Sequence, residues 1–145
     1  MKISTKGRYS LRMLLDLAEH KGRGFIALKS IAERQGISKK YLEQIITLLN
    51  SSGILRANRG SQGGYTLSKE PDQYTVGQIL RITEGSLSPV SCLDDDLNQC
   101  ERSEFCATLP VWKGLQKVID EYLDNITLQT ILDSKKETGA NDYCI

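Results

Sequence analysis

The chain contains 145 residues, of which 26% are charged and 39% hydrophobic, and its net charge at pH 7 is +1. This length is sufficient for one domain whose core is stable without disulfides. No run of eighteen apolar residues and no apolar segment after Met1 is present, so neither a membrane-spanning helix nor an export signal is predicted. We therefore expect a cytoplasmic protein with reduced cysteines and no membrane partner.

The small net charge hides an asymmetry between the two halves of the sequence. Residues 1–69 contain 13 Lys and Arg but 4 Asp and Glu, whereas residues 70–145 contain 6 Lys and Arg but 14 Asp and Glu. A concentrated basic excess is typical of a surface that neutralises nucleic-acid phosphates. The first half is therefore the candidate nucleic-acid-binding region.

Three amphipathic helices are predicted in this basic half. The first begins at Ser4 or Thr5 and ends at "KGRG". The second covers "ALKSIAERQ" and ends at Gly36, and the third begins after Ser38 and ends at Gly53. Apolar residues recur in them at intervals of three and four. The side chains that we expect to be buried are Leu11, Leu14, Leu15, Ala18, Leu28, Ile31, Ala32, Leu42, Ile45, Leu48 and Leu49.

The second and third helices are separated by "QGIS" and form a helix-turn-helix pattern, in which the third is the recognition helix. The segment "ILRANRGSQGGYTL" then predicts a β-hairpin, the wing of a winged helix. Arg59 at the tip of this wing has the chemistry to enter a narrow minor groove. The residues of the recognition helix that we predict to contact DNA are Ser38, Lys39, Lys40, Tyr41, Glu43 and Gln44.

Glu43 has two interpretations. An acid four residues after Lys39 can form a surface ion pair with that lysine. Alternatively, its carboxylate can accept a hydrogen bond from the N4 amino group of a cytosine in the major groove. From spacing alone we favour the ion pair.

A fourth helix is predicted to complete the DNA-binding domain at residues 1–85. It begins at Thr75, which forms a capping box with Gln78, and ends at Gly85. Residues 86–108 show no helical or strand period. A segment of this length without a period inside a compact chain is usually functional or disordered, and we predict a loop that binds a cofactor through its cysteines.

A long helix and a short following helix are predicted in residues 109–134, and a flexible tail in residues 135–145. The long helix carries a wide apolar stripe formed by Trp112, Leu115, Ile119, Tyr122, Leu123 and Ile126. Either this stripe packs on the first helix or it pairs with a second copy of the chain. Because dimeric regulators bind two DNA half-sites, we favour a homodimer.

Three of the four cysteines lie in the acidic loop, at Cys92, Cys100 and Cys106. Zinc pairs usually have two to four residues between ligands, so the wider intervals in this loop fit structural zinc poorly. They suit an iron–sulfur cluster better, and a redox switch with a low-pKa thiol remains open. A zinc-stabilised interaction protein is the alternative from another functional class.

No pattern of catalytic residues is present. His20 is the only histidine, and its place near the end of the first helix predicts a capping role. The sequence contains no catalytic triad, Walker loop or dinucleotide fingerprint. We therefore do not expect an enzyme.

Several segments together resemble the IscR family of winged-helix regulators, whose relatives include NsrR and CymR. They are "KGRYSLRMLLDLA", "IAERQGISKKYLEQI", "RGSQGGYTL", the three spaced cysteines and "DNITL". The resemblance covers the chain to about Leu132 and implies a homodimer, joined through a helix at roughly residues 111–125, that binds palindromic promoter DNA. It also implies that Glu43 discriminates between bases, which favours the second interpretation of this residue.

The resemblance further implies an iron–sulfur cluster on Cys92, Cys100 and Cys106, with a 2Fe–2S cluster favoured over a 4Fe–4S cluster. The histidine that is commonly the fourth ligand in this family is replaced by Leu109. The alternative N-terminal carboxylate position is occupied by Arg8 or a close neighbour. The remaining candidates for the fourth ligand are Cys144, Asp94, Asp95, Asp96, Glu104 and a small exogenous molecule.

The predicted fold is mostly α-helical with a small β-hairpin wing, a winged helix-turn-helix followed by a long C-terminal dimerisation helix. The predicted function is that of a dimeric transcription regulator that senses iron–sulfur status, redox state or a reactive small molecule through a cysteine-ligated cluster. The alternatives are the same DNA-binding fold with a thiol switch and no cluster, and the zinc-stabilised interaction protein.

Overall fold

The computed structural model describes the backbone of residues 1–142 and the side chains of residues 1–139. The α-helices of this part of the chain are α1 (Thr5–Glu19), α2 (Leu28–Gln35), α3 (Lys39–Ser51), α4 (Val76–Glu84), α5 (Leu109–Asp124) and α6 (Leu128–Asp142). The strands are β1 (Leu55–Asn58) and β2 (Gly64–Leu67), and 3₁₀ turns lie at Pro71–Gln73, Ser91–Leu93 and Ser103–Phe105. The predicted fold class, mostly helical with a hairpin wing, is confirmed.

The helix-turn-helix is formed by local capping interactions. The hydroxyl of Ser38 accepts a hydrogen bond of 3.2 Å from the backbone N–H of Tyr41 and thereby caps α3. Gly36 ends α2 with φ of 63°, a left-handed conformation that favours glycine. Between them Ile37 is buried, so the short turn is held by an apolar side chain that fills the angle between the two helices.

The main core lies between α1, α2, α3, the hairpin, α4 and the first turns of α6. Its fully buried members include Met13 and Leu17 of α1, which were not among the residues expected to be buried. The structure shows as half-buried four residues that were expected to be buried: Leu11, Leu15, Ala32 and Leu48. Met13 and Leu17 are buried because α1 contacts α2 and β2 as well as α4 and α6, which cover apolar side chains on more than one side of this helix.

The hairpin pairs β1 and β2 antiparallel, with Leu55 opposite Leu67 and Asn58 opposite Gly64. Leu55 and Leu67 are buried and anchor the base of the hairpin in the main core. The strands therefore extend outward from the core, and their connecting turn at residues 59–63 reaches solvent.

Backbone hydrogen bonds join the segment between α5 and α6 to the winged unit, residues 1–85. The backbone N–H of Val76 donates to the carbonyl oxygen of Ile126 at 2.8 Å, beside a bridge between Thr75 and Thr127. From there α6 packs on α1, and Leu128 is fully buried. Within residues 1–142, no helix combines the length and apolarity that crossing a bilayer requires.

The prediction of a flexible tail beginning at residue 135 is wrong. The backbone is helical to Asp142, and Lys135 of α6 forms an ion pair with Glu19 of α1. Contact with α1 therefore continues beyond the predicted end of the helix. Cys144 lies outside the described residues.

Candidate nucleic-acid interface and cysteine loop

The predicted DNA-contacting residues of α3 share its solvent side. On the opposite side Leu42, Ile45 and Leu49 are buried in the main core, so the orientation of α3 is fixed by packing. The residues of the predicted set that are exposed are Ser38, Lys39, Lys40, Glu43 and Gln44, together with Arg59 on the turn between β1 and β2.

Tyr41 differs from the other predicted contacts because it is half-buried. Its ring meets Tyr9 of α1 edge to face, with centroids 5.6 Å apart and planes at 82°. The guanidinium of Arg12 lies 5.1 Å from the centroid of the Tyr9 ring. Tyr41 therefore holds the first turn of α3 against α1, a role that only the packing of the two helices reveals.

The charged side chains of this surface are unpaired among the residues that the structure describes. Lys39, Lys40, Arg59 and Glu43 form no ion pair with any described residue. The Lys39–Glu43 pair that spacing alone favours is not formed in the structure. Both signs of charge on the exposed side of α3 are thus available to an external partner.

An ion pair between the buried Asp16 and Arg34 docks α2 on α1. The carboxylate of Asp16 is 1% exposed and accepts hydrogen bonds from Arg34, at 2.6 and 2.9 Å, and from Gln35, at 3.0 Å. Burial by itself raises the pKa of Asp16, but the hydrogen bonds and the charge of Arg34 outweigh it, so this pKa lies below its usual value. His20 is the C-cap of α1, with Nδ1 2.7 Å from the carbonyl oxygen of Asp16, as its position predicts.

The cysteine loop, residues 86–108, places its thiols in three separate settings. Cys92 lies half-buried in one 3₁₀ turn, Cys100 is exposed, and Cys106 is half-buried just after another 3₁₀ turn. All three are free thiols. Within the described residues, no three His, Cys, Asp or Glu side chains are grouped closely enough to hold a metal. The structure therefore does not bring the predicted ligands together.

The first part of the cysteine loop is held by its own hydrogen bonds. The hydroxyl of Ser86 donates to the carboxylate of Asp94 at 2.6 Å, and that of Ser88 donates to the carbonyl oxygen of Leu93 at 2.8 Å. Beyond Asp94 the loop is mostly exposed, and the side chain of Leu97 is 79% accessible. The segment that carries Cys100 thus has few contacts that would oppose a rearrangement.

The end of the loop stabilises a thiolate, and Leu109 and Arg8 offer no donor for a fourth ligand. A hydrogen bond with Thr108, followed by backbone N–H groups and the charge of Arg102, lowers the pKa of Cys106. Leu109, at the position where a histidine is common, is buried, and Arg8 is exposed and donates to a threonine on its own helix. The donor chemistry of the loop suits an iron–sulfur cluster, but the thiols must move together to share one.

The helix α5 leaves an apolar face uncovered. We define the α5 face as Val111, Leu115, Val118 and Tyr122, which recur at intervals of four, three and four. Two of them, Val118 and Tyr122, are 61% and 67% exposed. The spacing places all four on one side of the helix, and that side is largely exposed among the residues that the structure describes.

Comparison with known proteins identifies the family. Residues 3–134 match the family model of Rrf2, described as an iron-dependent transcriptional regulator. The chain belongs to the Rrf2 family. The resemblance to IscR and CymR that the sequence motifs indicated is thereby confirmed.

Curated Rrf2 relatives cover most of the chain. The regulator CymR of Bacillus subtilis is 41% identical over 131 residues, which is 90% of this chain and 89% of CymR. The regulator IscR of Pectobacterium atrosepticum is 34% identical over 142 residues, which is 98% of this chain and 85% of IscR. Both are named HTH-type transcriptional regulators, so this Rrf2 protein is a DNA-binding transcription regulator and not an enzyme.

Solved Rrf2 structures share the fold. IscR of T. potens superposes with a TM-score of 0.76 and 43% identity, covering 95% of this chain and 90% of that one. CymR of B. subtilis, described as its global cysteine regulator, has a TM-score of 0.76 and 38% identity, covering 92% of this chain and 98% of that one.

Proposed function

We propose that this Rrf2 protein binds palindromic promoter DNA as a homodimer and that its cysteine loop controls this binding. The observation that carries the proposal is that the described residues leave two surfaces exposed. One is the exposed, unpaired charge of α3 and the wing, and the other is the α5 face. A chromosomal operator as target also supports action in the cytoplasm.

The exposed residues of α3 have distinct roles in this proposal. Lys39 and Lys40 neutralise phosphates, while Ser38 and Gln44 donate to phosphates or base edges. Glu43 accepts from a cytosine N4 amino group and disfavours a base that offers it no donor, because its carboxylate would then be desolvated without a partner. Tyr41 contributes by fixing the first turn of α3, and Arg59 enters the minor groove beside the recognition helix.

Base reading by Glu43 is tested by comparing Glu43→Ala with Glu33→Ala. Both residues are exposed acids on the helix-turn-helix, but Glu33 lies on α2 near Lys29. Glu43→Ala should reduce discrimination at one symmetric base pair by about 1–3 kcal/mol. Glu33→Ala should leave the preferred sequence unchanged. Identical selected sequences for wild type and Glu43→Ala would contradict this role.

For the control of DNA binding we propose an iron–sulfur cluster on Cys92, Cys100 and Cys106. Three observations support it: the thiols are free, the segment around Cys100 has few contacts, and the family model is described as iron-dependent. A cluster would supply positive iron to a loop rich in carboxylates, and the three thiolates would hold it. We propose a 2Fe–2S cluster. Spectroscopy of the protein would identify the cluster type and the fourth ligand.

A thiol switch without a cluster is the second candidate. The thiols are not grouped in the structure, and the pKa of Cys106 is lowered. Relatives named CymR are among the similar proteins, and one solved structure is described as the oxidised form of Staphylococcus aureus CymR. Family membership favours both of these regulators over the zinc-stabilised interaction protein.

One set of measurements separates the candidates. Protein purified without oxygen should absorb visible light and contain iron and sulfide, and its operator affinity at fixed salt should differ from that of cluster-free protein. The Cys92→Ser, Cys100→Ser and Cys106→Ser triple variant should lose both properties. Absent iron, with operator affinity that changes on thiol alkylation, would instead establish the thiol switch. Iron-free protein whose operator affinity ignores alkylation and the triple substitution would refute both.

A further inference from the structure

Arg81 of α4 connects the DNA-binding unit to α5. Its Nη1 donates to Asp124 Oδ1 at 2.6 Å, and its Nη2 donates to Asp120 Oδ1 at 2.6 Å and to Asp124 Oδ2 at 3.2 Å. The two acids lie four residues apart on α5, so one guanidinium spans a full helical turn. We call this group, Arg81 with Asp120 and Asp124, the Arg81 clamp.

The Arg81 clamp and the α5 face lie on opposite sides of the same helix. At about 100° per residue, Asp120 and Asp124 are roughly 180° from the centre of the α5 face. One side of α5 is therefore held by the DNA-binding unit, and the other is free for a second copy. Arg81 therefore holds α5 from the side opposite to the α5 face.

The apolar contact between α4 and α5 is small. Val76, Leu80 and Leu87 form a buried cluster separate from the main core, against which Leu123 and Ile126 pack. These contacts lie near the C-terminal end of α5, next to its backbone attachment to Val76. From Asp124 to the first residue of α5 the helix extends about 23 Å, so a 5° tilt would move its far end by about 2 Å.

The sequence of α4 is adapted to the Arg81 clamp. A Cβ atom added at Gly77, one turn before Arg81, would collide with the carboxylate of Asp124 and crowd the guanidinium. Glycine at this position thus allows the carboxylate to approach α4 closely enough to meet Arg81. Gln116 adds a hydrogen bond of 3.0 Å to the second oxygen of Asp120 and fixes its orientation.

We infer that Arg81 is a positioning residue, which sets the angle of α5 to the DNA-binding unit and so the spacing of the two recognition helices. This inference rests on the proposed dimerisation through α5. Because α4 packs against α3 in the main core and Arg81 pairs with acids of α5, Arg81 should affect affinity for a two-half-site operator and not the affinity of one unit for one half-site.

The test measures how strictly the protein distinguishes operator spacing. A palindromic duplex is selected from a random library with the wild type, and variants of it carry one base pair more or fewer between the half-sites. One base pair rotates a half-site by about 35° around the DNA axis. Wild type should prefer the selected spacing, and Arg81→Gln should lose about tenfold or more of this preference.

Additional variants separate positioning from general stability. Gly77→Ala should displace Asp124 and reproduce the loss while keeping every charge. Arg81→Lys should retain only part of the spacing preference, because a single ammonium cannot make the same forked contacts. The matched control is Lys117→Gln, which breaks an ion pair with Glu121 inside α5 and joins no second element. It should keep the full spacing preference.

Each outcome supports or overturns the inference. Loss of spacing preference in Arg81→Gln and Gly77→Ala, with unchanged binding to a single half-site, supports it. If Arg81→Gln does not fold, Asp124→Asn and Gly77→Ala decide in the same assay. If the folded variants keep the spacing preference, the positioning role of Arg81 is overturned. The proposed dimer is not affected by that result, since wild type still binds as a dimer. A monomeric wild type overturns the proposed dimer and this inference together.

Discussion

The winged unit and the segment that follows it differ in how far their apolar and charged side chains are buried or paired within one copy of the chain. Residues 1–85 contain most of the main core, and their ionic groups Asp16 and Arg34 are paired internally. Residues 86–124 contain the cysteine loop and α5, where Phe105 is 87% exposed and the α5 face is uncovered. The first region presents a fixed surface to DNA. The second has exposed apolar side chains and free thiols, which a second copy could cover or a ligand could bind.

The largest contrast is expected in stability. Leu49 is fully buried in α3 and Leu97 is exposed in the cysteine loop. Leu49→Ala should lower the free energy of unfolding by about 2–5 kcal/mol because it leaves a cavity in the core. Leu97→Ala should change it by less than about 0.5 kcal/mol. Urea unfolding at one protein concentration measures both, and equal losses would contradict the division.

The next effect concerns association. Val118→Glu places a charge on the α5 face and should weaken dimerisation by about thirtyfold or more, as expected for a central interface residue. The free energy of unfolding of the monomer should not fall. Lys113→Glu changes an exposed residue of α5 outside this face and serves as the control. Sedimentation equilibrium measures the dissociation constants, and an unchanged value for Val118→Glu would contradict dimerisation through this face.

A third prediction uses the buried acid of the winged unit. The pKa of Asp16 is lowered in the folded protein. Its contribution to stability is therefore present above the unfolded pKa of about 4 and is lost as the pH falls through the folded value. Asp16→Asn should lower the free energy of unfolding at pH 7 by about 1–3 kcal/mol. The fall in the free energy of unfolding on acidification should be smaller in Asp16→Asn than in wild type.

The control for this prediction comes from the other region. Asp95 of the cysteine loop is exposed and forms no ion pair within the described residues. Asp95→Asn should leave the free energy of unfolding at pH 7 almost unchanged. Urea titrations of the three proteins at pH 7 and at successively lower pH provide the comparison. Parallel pH profiles for wild type and Asp16→Asn would show that the ion pair of Asp16 with Arg34 contributes nothing to stability.

The smallest effect is on the salt dependence of DNA binding. If Arg59 neutralises the DNA backbone, Arg59→Ala should flatten the plot of log affinity against log salt by about one unit. Arg102 is an exposed cation of the cysteine loop, and Arg102→Ala should leave the slope unchanged. Fluorescence anisotropy over a range of salt concentrations gives both slopes. A flatter slope for Arg102→Ala, with an unchanged slope for Arg59→Ala, would mean that the cysteine loop and not the wing contacts DNA.

Local features of the sequence determined much of the winged unit. Ser38, Gly36 and the apolar spacing of α3 predicted the helix-turn-helix because capping and burial act over a few residues. The expected buried set of α1 omitted Met13 and Leu17, which are fully buried, because the partners of α1 come from four other elements. The extension of α6 to Asp142 was missed for the same reason, since its contact with Glu19 of α1 spans 116 positions.

The sequence by itself therefore determined α1 to α5, the wing, the basic half of the chain and the positions of the cysteines. Only the tertiary structure decided which charges remain free, that the three thiols stand apart, and that Arg81 meets Asp120 and Asp124. Those properties depend on distances between residues far apart in the chain. Such distances are set by the packing of whole helices, which no local spacing pattern specifies.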